Sequence, residues 1–177
     1  NEAGELVEPP EWEEKKLGDI IREKNEKSTK ENQFKVLSSS KKGIFLQSDY
    51  FGQDVSTKSN TGYKIIRKGE FTYRAMSDTG NFYFNFLEDI DVGIVSPAYP
   101  VFVNKSDFVD KYFLFVLMNN SLKVKKQILK EKIGGTRLTL NFNKLKEFSI
   151  QVPTYNEQIK IANFLSAIDT KIEAVAE

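Results

Sequence analysis

Residues 134–172, GGTRLTLNFNKLKEFSIQVPTYNEQIKIANFLSAIDTKI, constrain the fold more than any other stretch of the chain. A Gly-Gly turn and a basic, strand-like run lead through Pro153-Thr154 into a segment with a sustained helical seam. Ile161, Leu165, Ile168, Ile172 and Val175 are spaced four, three, four and three apart, the a/d alternation of a coiled coil. Thr154 and Glu157 form a T-x-x-E capping box ahead of it, so the start of the helix is specified as well as its face. A helix of this kind behind a compact domain carries a stripe that it cannot bury on itself. The five seam residues are the expected interface with a partner helix.

The rest of the chain is strand-rich. Short runs at Phe34–Ser38, Gly43–Leu46, Tyr63–Ile66, Phe71–Tyr73, Phe82–Phe86, Ile94–Val95, Ala98–Val103 and Phe148–Val152 are bounded by turn-forming pieces such as SSSKKG, KSNTG and MSDTGN. Ser106 is placed to cap a helix through about Met118, and Ser121 a second through about Lys132. Arg22 to Asn32 is polar and reads as a loop or frayed helix. The order predicts an α+β fold in three parts: a flexible acidic leader over 1–11, a compact body with a few helices over 12–153, and a protruding coiled-coil helix over 154–177.

With 14 Phe and 7 Tyr the body can form a core, whereas histidine and cysteine are absent. That removes thiolate nucleophiles, disulfides, the usual general base and the commonest zinc ligands. Residues 1–14 carry acids and no base, the reverse of a secretory signal, and no apolar run approaches the ~20 residues of a membrane helix. A cytoplasmic protein without a membrane partner is expected, and a binder rather than an enzyme.

A net charge of +1 hides strong local imbalance. The span from Lys111 to Lys146 holds nine basic residues against Glu131, and local field governs polyanion binding more than net charge does. Lys123, Lys126 and Lys130 fall on one face of the second helix, opposite an apolar side of Leu122, Ile128, Leu129 and Ile133. Gly134-Gly135-Thr136-Arg137 follows. Its glycines permit close approach to a phosphate, and Thr136 and Arg137 donate to phosphate or base edge. Two loops of hydroxyls, lysine and glycine, with Lys41 and Lys42 in one and Lys58, Ser59 and Asn60 in the other, suit groove contacts and suit any hairpin equally well. Arg74, at a strand end before Ser77 and Thr79, is placed to reach guanine or to pair with Asp78.

Two catalytic signals fail. Ser96-Pro97-Ala98-Tyr99 lacks the second proline of the amino-methyltransferase tetrapeptide, and no G-x-G cofactor loop occurs in the chain. Glu88, Asp89 and Asp91 lack the companions of a nuclease magnesium site and read as a solvated acidic loop. No catalytic residue, cofactor or metal is assigned.

Five separated segments nevertheless coincide, in order, with one family. They are Trp12-Glu13 with Leu17-Gly18-Asp19-Ile20; Gly62-Tyr63 with Lys68-Gly69-Glu70-Phe71; and Gly93-Ile94-Val95-Ser96-Pro97-Ala98-Tyr99 with Phe102. Gly134, Arg137, Leu140 and Leu145 follow, and then Val152-Pro153, Glu157-Gln158, Ile161-Ala162, Leu165 and Ile168-Asp169. The chain resembles the DNA-specificity subunit of type I restriction-modification enzymes over about residues 12–177: one target recognition domain and its conserved helix. The resemblance implies a non-catalytic reader of one half of a split double-stranded DNA sequence. It also implies methyltransferase subunits as partners and, through the assembly, a restriction and translocase subunit. With one recognition domain and a helix that stops at Glu177, the chain reads as a fragment or as a half-size subunit. Its helix would then meet a second recognition domain or a second copy. The alternative is an assembly or regulatory module that docks through the heptad helix and reads no DNA.

Overall fold

The computed structural model describes residues 11–51, 59–105, 107–131 and 137–176. The body is built around a four-stranded antiparallel sheet in the order β2 (Ile21–Lys24), β10 (Val101–Asn104), β6 (Phe71–Thr72), β8 (Asn85–Phe86). Register places Phe102 opposite Phe71 and Phe71 opposite Phe86, so three strands contribute one continuous aromatic row. Phe71 stacks on Phe102 at 5.2 Å between ring centroids and lies 5.4 Å from Phe86. Such cross-strand pairs, buried against Tyr73 and Phe84, select this register over a one-residue slip.

Smaller antiparallel pairs surround the sheet. These are β3 (Leu37–Ser40) with β4 (Gly43–Leu46), β5 (Lys64–Arg67) with β9 (Val92–Val95), and β7 (Met76–Ser77) with β11 (Leu138–Thr139). Leu37, Ile66, Leu87, Val95 and Val101 form a second apolar cluster beneath them. The entry strand β1 (Glu13–Lys16) pairs with β12 (Ser149–Val152), which ties the start of the body to its end. Between β1 and β2 lies the short helix α1 (Leu17–Ile20), and α2 (Gln47–Phe51) follows β4.

Several features differ from the sequence reading. Arg22 belongs to β2 rather than a loop, because pairing with β10 overrides its polar local sequence. The first long helix, α3, spans Lys111–Asn120 and starts at Asp110, whose carboxylate accepts from Phe113 N at 2.8 Å; Ser106, the expected cap, lies outside the described residues. In α4 (Leu122–Lys130) the Ser121 cap is as expected, but Val124 and Ile128 are the buried residues. Leu122 and Leu129 are exposed, and Ile133 lies outside the described residues.

A short α5 (Phe142–Lys146) precedes β12, and α6 (Tyr155–Ala176) ends the described chain. The seam of α6 is divided. Ile161 packs on the main core and Leu165 is half-buried, whereas Ile168, Ile172 and Val175 are 37%, 62% and 88% exposed, beside Phe164 at 67%. The body therefore takes the first two seam positions that the heptad pattern assigns to a partner.

The root of α6 is held by polar contacts. Gln158, 1% exposed, donates from Nε2 to the carbonyls of Phe108 (3.0 Å) and Pro153 (2.9 Å) and accepts at Oε1 from Asp110 N (2.9 Å). The Glu157 carboxylate does not serve the expected capping box. Its Oε1 accepts from Trp12 Nε1 at 3.3 Å, and its Oε2 has no partner, while Glu157 N and Gln158 N both donate to the Thr154 carbonyl. Farther along, Tyr112 of α3 donates to Asp169 Oδ2 at 2.7 Å. Burial, and then this acceptor, push the Tyr112 phenol up to about 12. Among the described residues, no helix is long and apolar enough to cross a membrane.

Candidate nucleic-acid interface

The edge formed by β7 and β11 gathers residues from distant parts of the chain. Tyr73, fully buried, donates its hydroxyl to the Leu140 carbonyl at 3.0 Å, and Leu140 N donates to the Ala75 carbonyl at 2.9 Å. Those two bonds pin residues 137–140 alongside 73–78. Leu138 pairs with Ser77 and Thr139 with Met76, so the next rung sets Arg137 against Asp78. Arg137 Nε meets Asp78 Oδ1 at 2.5 Å. The guanidinium holds the Asp78 carboxyl below the usual carboxylate range, and the charge of Arg74 adds to the effect. The sequence allowed an Arg74–Asp78 pair, but strand register delivers Arg137 to that carboxylate instead.

A tight turn presents Asp78. Ser77 Oγ accepts from Gly80 N at 3.0 Å, and Gly80 adopts a φ of +83°, a conformation that favours glycine. Thr79 is exposed and its Oγ1 accepts from Asn81 N at 3.4 Å, whereas Ser77 is buried and shapes the turn. A Cβ on Gly80 would lie 3.8 Å from Leu129, so the end of α4 sits beside this turn with Lys126 and Lys130 exposed.

Arg74 is exposed, and its charge reaches Tyr99, which is beside β3 of the β3–β4 hairpin. Burial raises the Tyr99 phenol, while the charge of Arg74 and a hydrogen bond with Ser38 of β3 pull it back down. Asn85 clamps the hairpin to the central sheet, donating from Nδ2 to Ser39 Oγ and to the Ser40 carbonyl, each at 2.8 Å. Its turn holds Lys41 and Lys42, both exposed, with Gly43 at a φ of +99°. These lysines also line a cleft of about 710 Å³ toward α6, with Glu88, Asp89, Tyr112 and Asp169 among its other walls.

Folding removes other sequence candidates from this surface. Asn60 is buried, with Nδ2 donating to Asn32 Oδ1 (2.8 Å) and Oδ1 accepting from Asn32 N (2.7 Å), so its amide is committed inside the body. Lys123 is half-buried and paired with Glu14 of β1, which separates it from Lys126 and Lys130. Ser59 is exposed and its Oγ accepts from Thr61 N at 3.4 Å. Lys58, Gly135 and Thr136 lie outside the described residues. Carboxylates also partner the two cations of β5. Lys64 lies 3.3 Å from Glu23, and Arg67 forms a bidentate pair with Glu26 at 2.6 and 2.7 Å. Ser96 to Tyr99 forms a turn into β10, closed by Tyr99 N on the Ser96 carbonyl at 2.9 Å.

Tyr99, Asn85 and Asp78 were absent from the candidates drawn from sequence. The alternation of buried and exposed positions around β8 and β10 carries no signal for the hydrogen bonds that make two of them anchors. Asp78 was visible only as a competitor for Arg74.

Residues 9–177 match the type I restriction modification DNA specificity domain. The chain is 25% identical over 166 residues to the type I restriction enzyme HindI specificity subunit of Haemophilus influenzae, covering 92% of this chain and 36% of that protein. Its fold is similar to that of the HsdS subunit from Thermoanaerobacter tengcongensis (TM-score 0.64, 20% identity, 97% of this chain and 45% of that one). It is similar also to the type I S subunit from M. genitalium (TM-score 0.61, 17% identity, 97% and 42%). The chain thus spans less than half the length of each of these relatives. With nearly all of its residues inside the matched region, the chain belongs to the type I restriction modification DNA specificity domain family.

Proposed function

We propose that this chain reads one half of a split double-stranded DNA sequence within a type I restriction-modification assembly in the cytoplasm. It contributes recognition and no catalysis. Methylation comes from methyltransferase subunits, and cleavage from a restriction and translocase subunit recruited through the same assembly. The reading rests on the family match, and the observation in the fold that carries it is the β7–β11 edge. There, strand pairing sets Arg137 beside Asp78, whose carboxyl also feels the charge of Arg74, with Thr79 exposed in the same turn and the exposed Lys126 and Lys130 on the α4 end near Gly80. Arginines at a strand edge supply base or close phosphate contacts, and the lysines position the duplex.

The exposed part of the α6 seam, Ile168, Ile172 and Val175 with Phe164 beside it, faces another helix, from a second recognition domain or a second copy. The test is methylome sequencing of cells with and without the full-length gene. One methylated bipartite motif should disappear with the gene, and an unchanged methylome would remove the proposal. In vitro, DNA binding by the assembled complex should weaken steeply with salt, as engagement of several phosphates requires. Salt-insensitive association would favour a module that docks only through α6.

A further inference from the structure

We infer that Asp78 is a positioning residue for base reading: it holds the Arg137 guanidinium by its Nε edge, leaving the outer Nη1/Nη2 pair to meet O6 and N7 of a guanine. This rests on the reading of the chain as a DNA-recognition domain.

Both partners are about 60% exposed, at 58% for Arg137 and 61% for Asp78, and a pair that exposed contributes little to stability. What it changes is the position of the guanidinium. The pair is not an accident of two mobile side chains, because both backbones are fixed from behind. Arg137 precedes a strand pinned by the buried Tyr73 hydroxyl, and Asp78 sits in a turn closed by Ser77 Oγ and Gly80. The β7–β11 register places the two on adjacent chains at the same rung.

Geometry then assigns the free edge. Toward the described residues, the hydrogen bonding of Arg137 uses Nε alone. A planar guanidinium held at Nε keeps its end-on pair of N–H groups as its free bidentate edge, and that fork matches the two acceptors that guanine presents in the major groove. Asp78 also works against wrong sequences. Its carboxylate repels phosphates and base acceptors, so a site that leaves Arg137 unpaired brings a negative charge against DNA without compensation. Arg74, whose charge also acts on Asp78, shares this local field.

The test uses the full-length specificity subunit assembled with its methyltransferase subunits. It compares the parent with Asp78→Asn, Arg137→Ala, Arg137→Lys and the double variant Asp78→Asn/Arg137→Ala. Methylome sequencing reports the motif, and competition binding reports affinity for target and for unrelated DNA. Asp78→Asn should make one guanine position degenerate, with discrimination there falling about tenfold or more, while affinity for unrelated DNA rises. Arg137→Lys, which keeps the charge without the fork, should lose the same position and retain unrelated-DNA affinity. The double variant should show no further loss of selectivity than Arg137→Ala, because Asp78 acts through Arg137.

Degeneracy in Arg137→Ala with an intact motif in Asp78→Asn would overturn the role of Asp78 and leave the DNA-reading proposal standing. Uniform weakening with the motif intact in every variant would make Arg137 a phosphate contact and overturn the inference as well. Absence of any motif with the parent complex would instead sink the DNA-reading proposal itself.

Discussion

Replacing Gln158 by alanine should loosen the joint between α6 and the body more than any change on the exposed seam. The side chain is buried and makes three hydrogen bonds, to the Phe108 and Pro153 carbonyls and from Asp110 N. At about 1 kcal/mol net per bond, their loss amounts to about 3 kcal/mol. The Pro153 carbonyl is also left without its partner in a buried residue, which brings the expected cost to about 3–4 kcal/mol. That is a large share of a stability of about 5–15 kcal/mol. Asp110 is itself the N-cap of α3, so part of the cost arises at the start of that helix.

Trp12 is the only tryptophan, and it sits at this joint, edge-on to Phe113 at 6.4 Å and donating to Glu157. Its fluorescence during urea unfolding therefore reports the region under test. Gln158→Glu supplies a check on the chemistry. It keeps an acceptor for Asp110 N but turns an anionic oxygen toward two carbonyls, so it should be at least as damaging at neutral pH. The introduced carboxyl has its folded pKa raised above the ordinary value of about 4.3. The stability tied to its protonated form is present below that value and is lost as pH rises through the folded pKa. The variant should accordingly regain ground on acidification relative to the parent. Unfolding free energies for both variants within about 0.5 kcal/mol of the parent would refute the reasoning, since that margin is typical of surface substitutions.

Asn60→Ala should cost about 1–3 kcal/mol through the broken Asn32 clamp, read by thermal melting, while leaving DNA selectivity unchanged. Gly93→Ala should cost about 1–3 kcal/mol, because a Cβ there falls 2.7 Å from Leu37 Cγ and 3.2 Å from the Lys35 carbonyl; an unaltered melting midpoint would contradict it. Tyr112 carries a raised pKa, so its contribution is fully present below pH of about 10 and is lost as pH rises through about 12. Tyr112→Phe should lessen the alkaline loss of stability in that window, with an ultraviolet difference titration showing one fewer late-ionising phenol.

The α+β class, most strands, the Ser121 cap and the start of α6 after Pro153-Thr154 were legible because each is written in local pattern, although the Glu157 half of the capping box does not form. The paired arrangement was not. Arg137 and Asp78 are distant in sequence, and only the β7–β11 register brings them together. The basic stretches show the same limit. Lys123 reads as an available cation, yet Glu14 meets it in the fold, just as Glu23 and Glu26 meet Lys64 and Arg67 of β5. Charge counts along a chain therefore overstate the binding surface wherever long-range pairing neutralises them. Asn60 shows that loop composition misleads in the same way: a polar residue in a turn-rich segment reads as a surface donor, whereas here it closes a buried contact.

The heptad rule treats the five seam positions of α6 alike, but the body does not. Gln158, Ala162 and Asp169 recur at four- and seven-residue intervals on one face, and that face meets the loop before α3 and then α3 itself. Ile161 and Leu165 lie at its margin and are drawn partly inside. Phe164, Ile168 and Val175 remain on the outer side, while Ile172, at the wall of the cleft beside Asp169, is still 62% exposed; the proposed partner helix would therefore engage a stripe shifted toward Phe164 and toward the end of the helix. An isolated segment of this length is marginal because ordering it costs more than its few contacts return. Here Gln158, Trp12 and Tyr112 already hold the helix in place, so pairing need supply only the contacts of its outer half. The same root ties the direction of α6 to the body that carries the β7–β11 edge, so a rotation of the helix about its root would move that edge, the proposed reading surface, with respect to any partner.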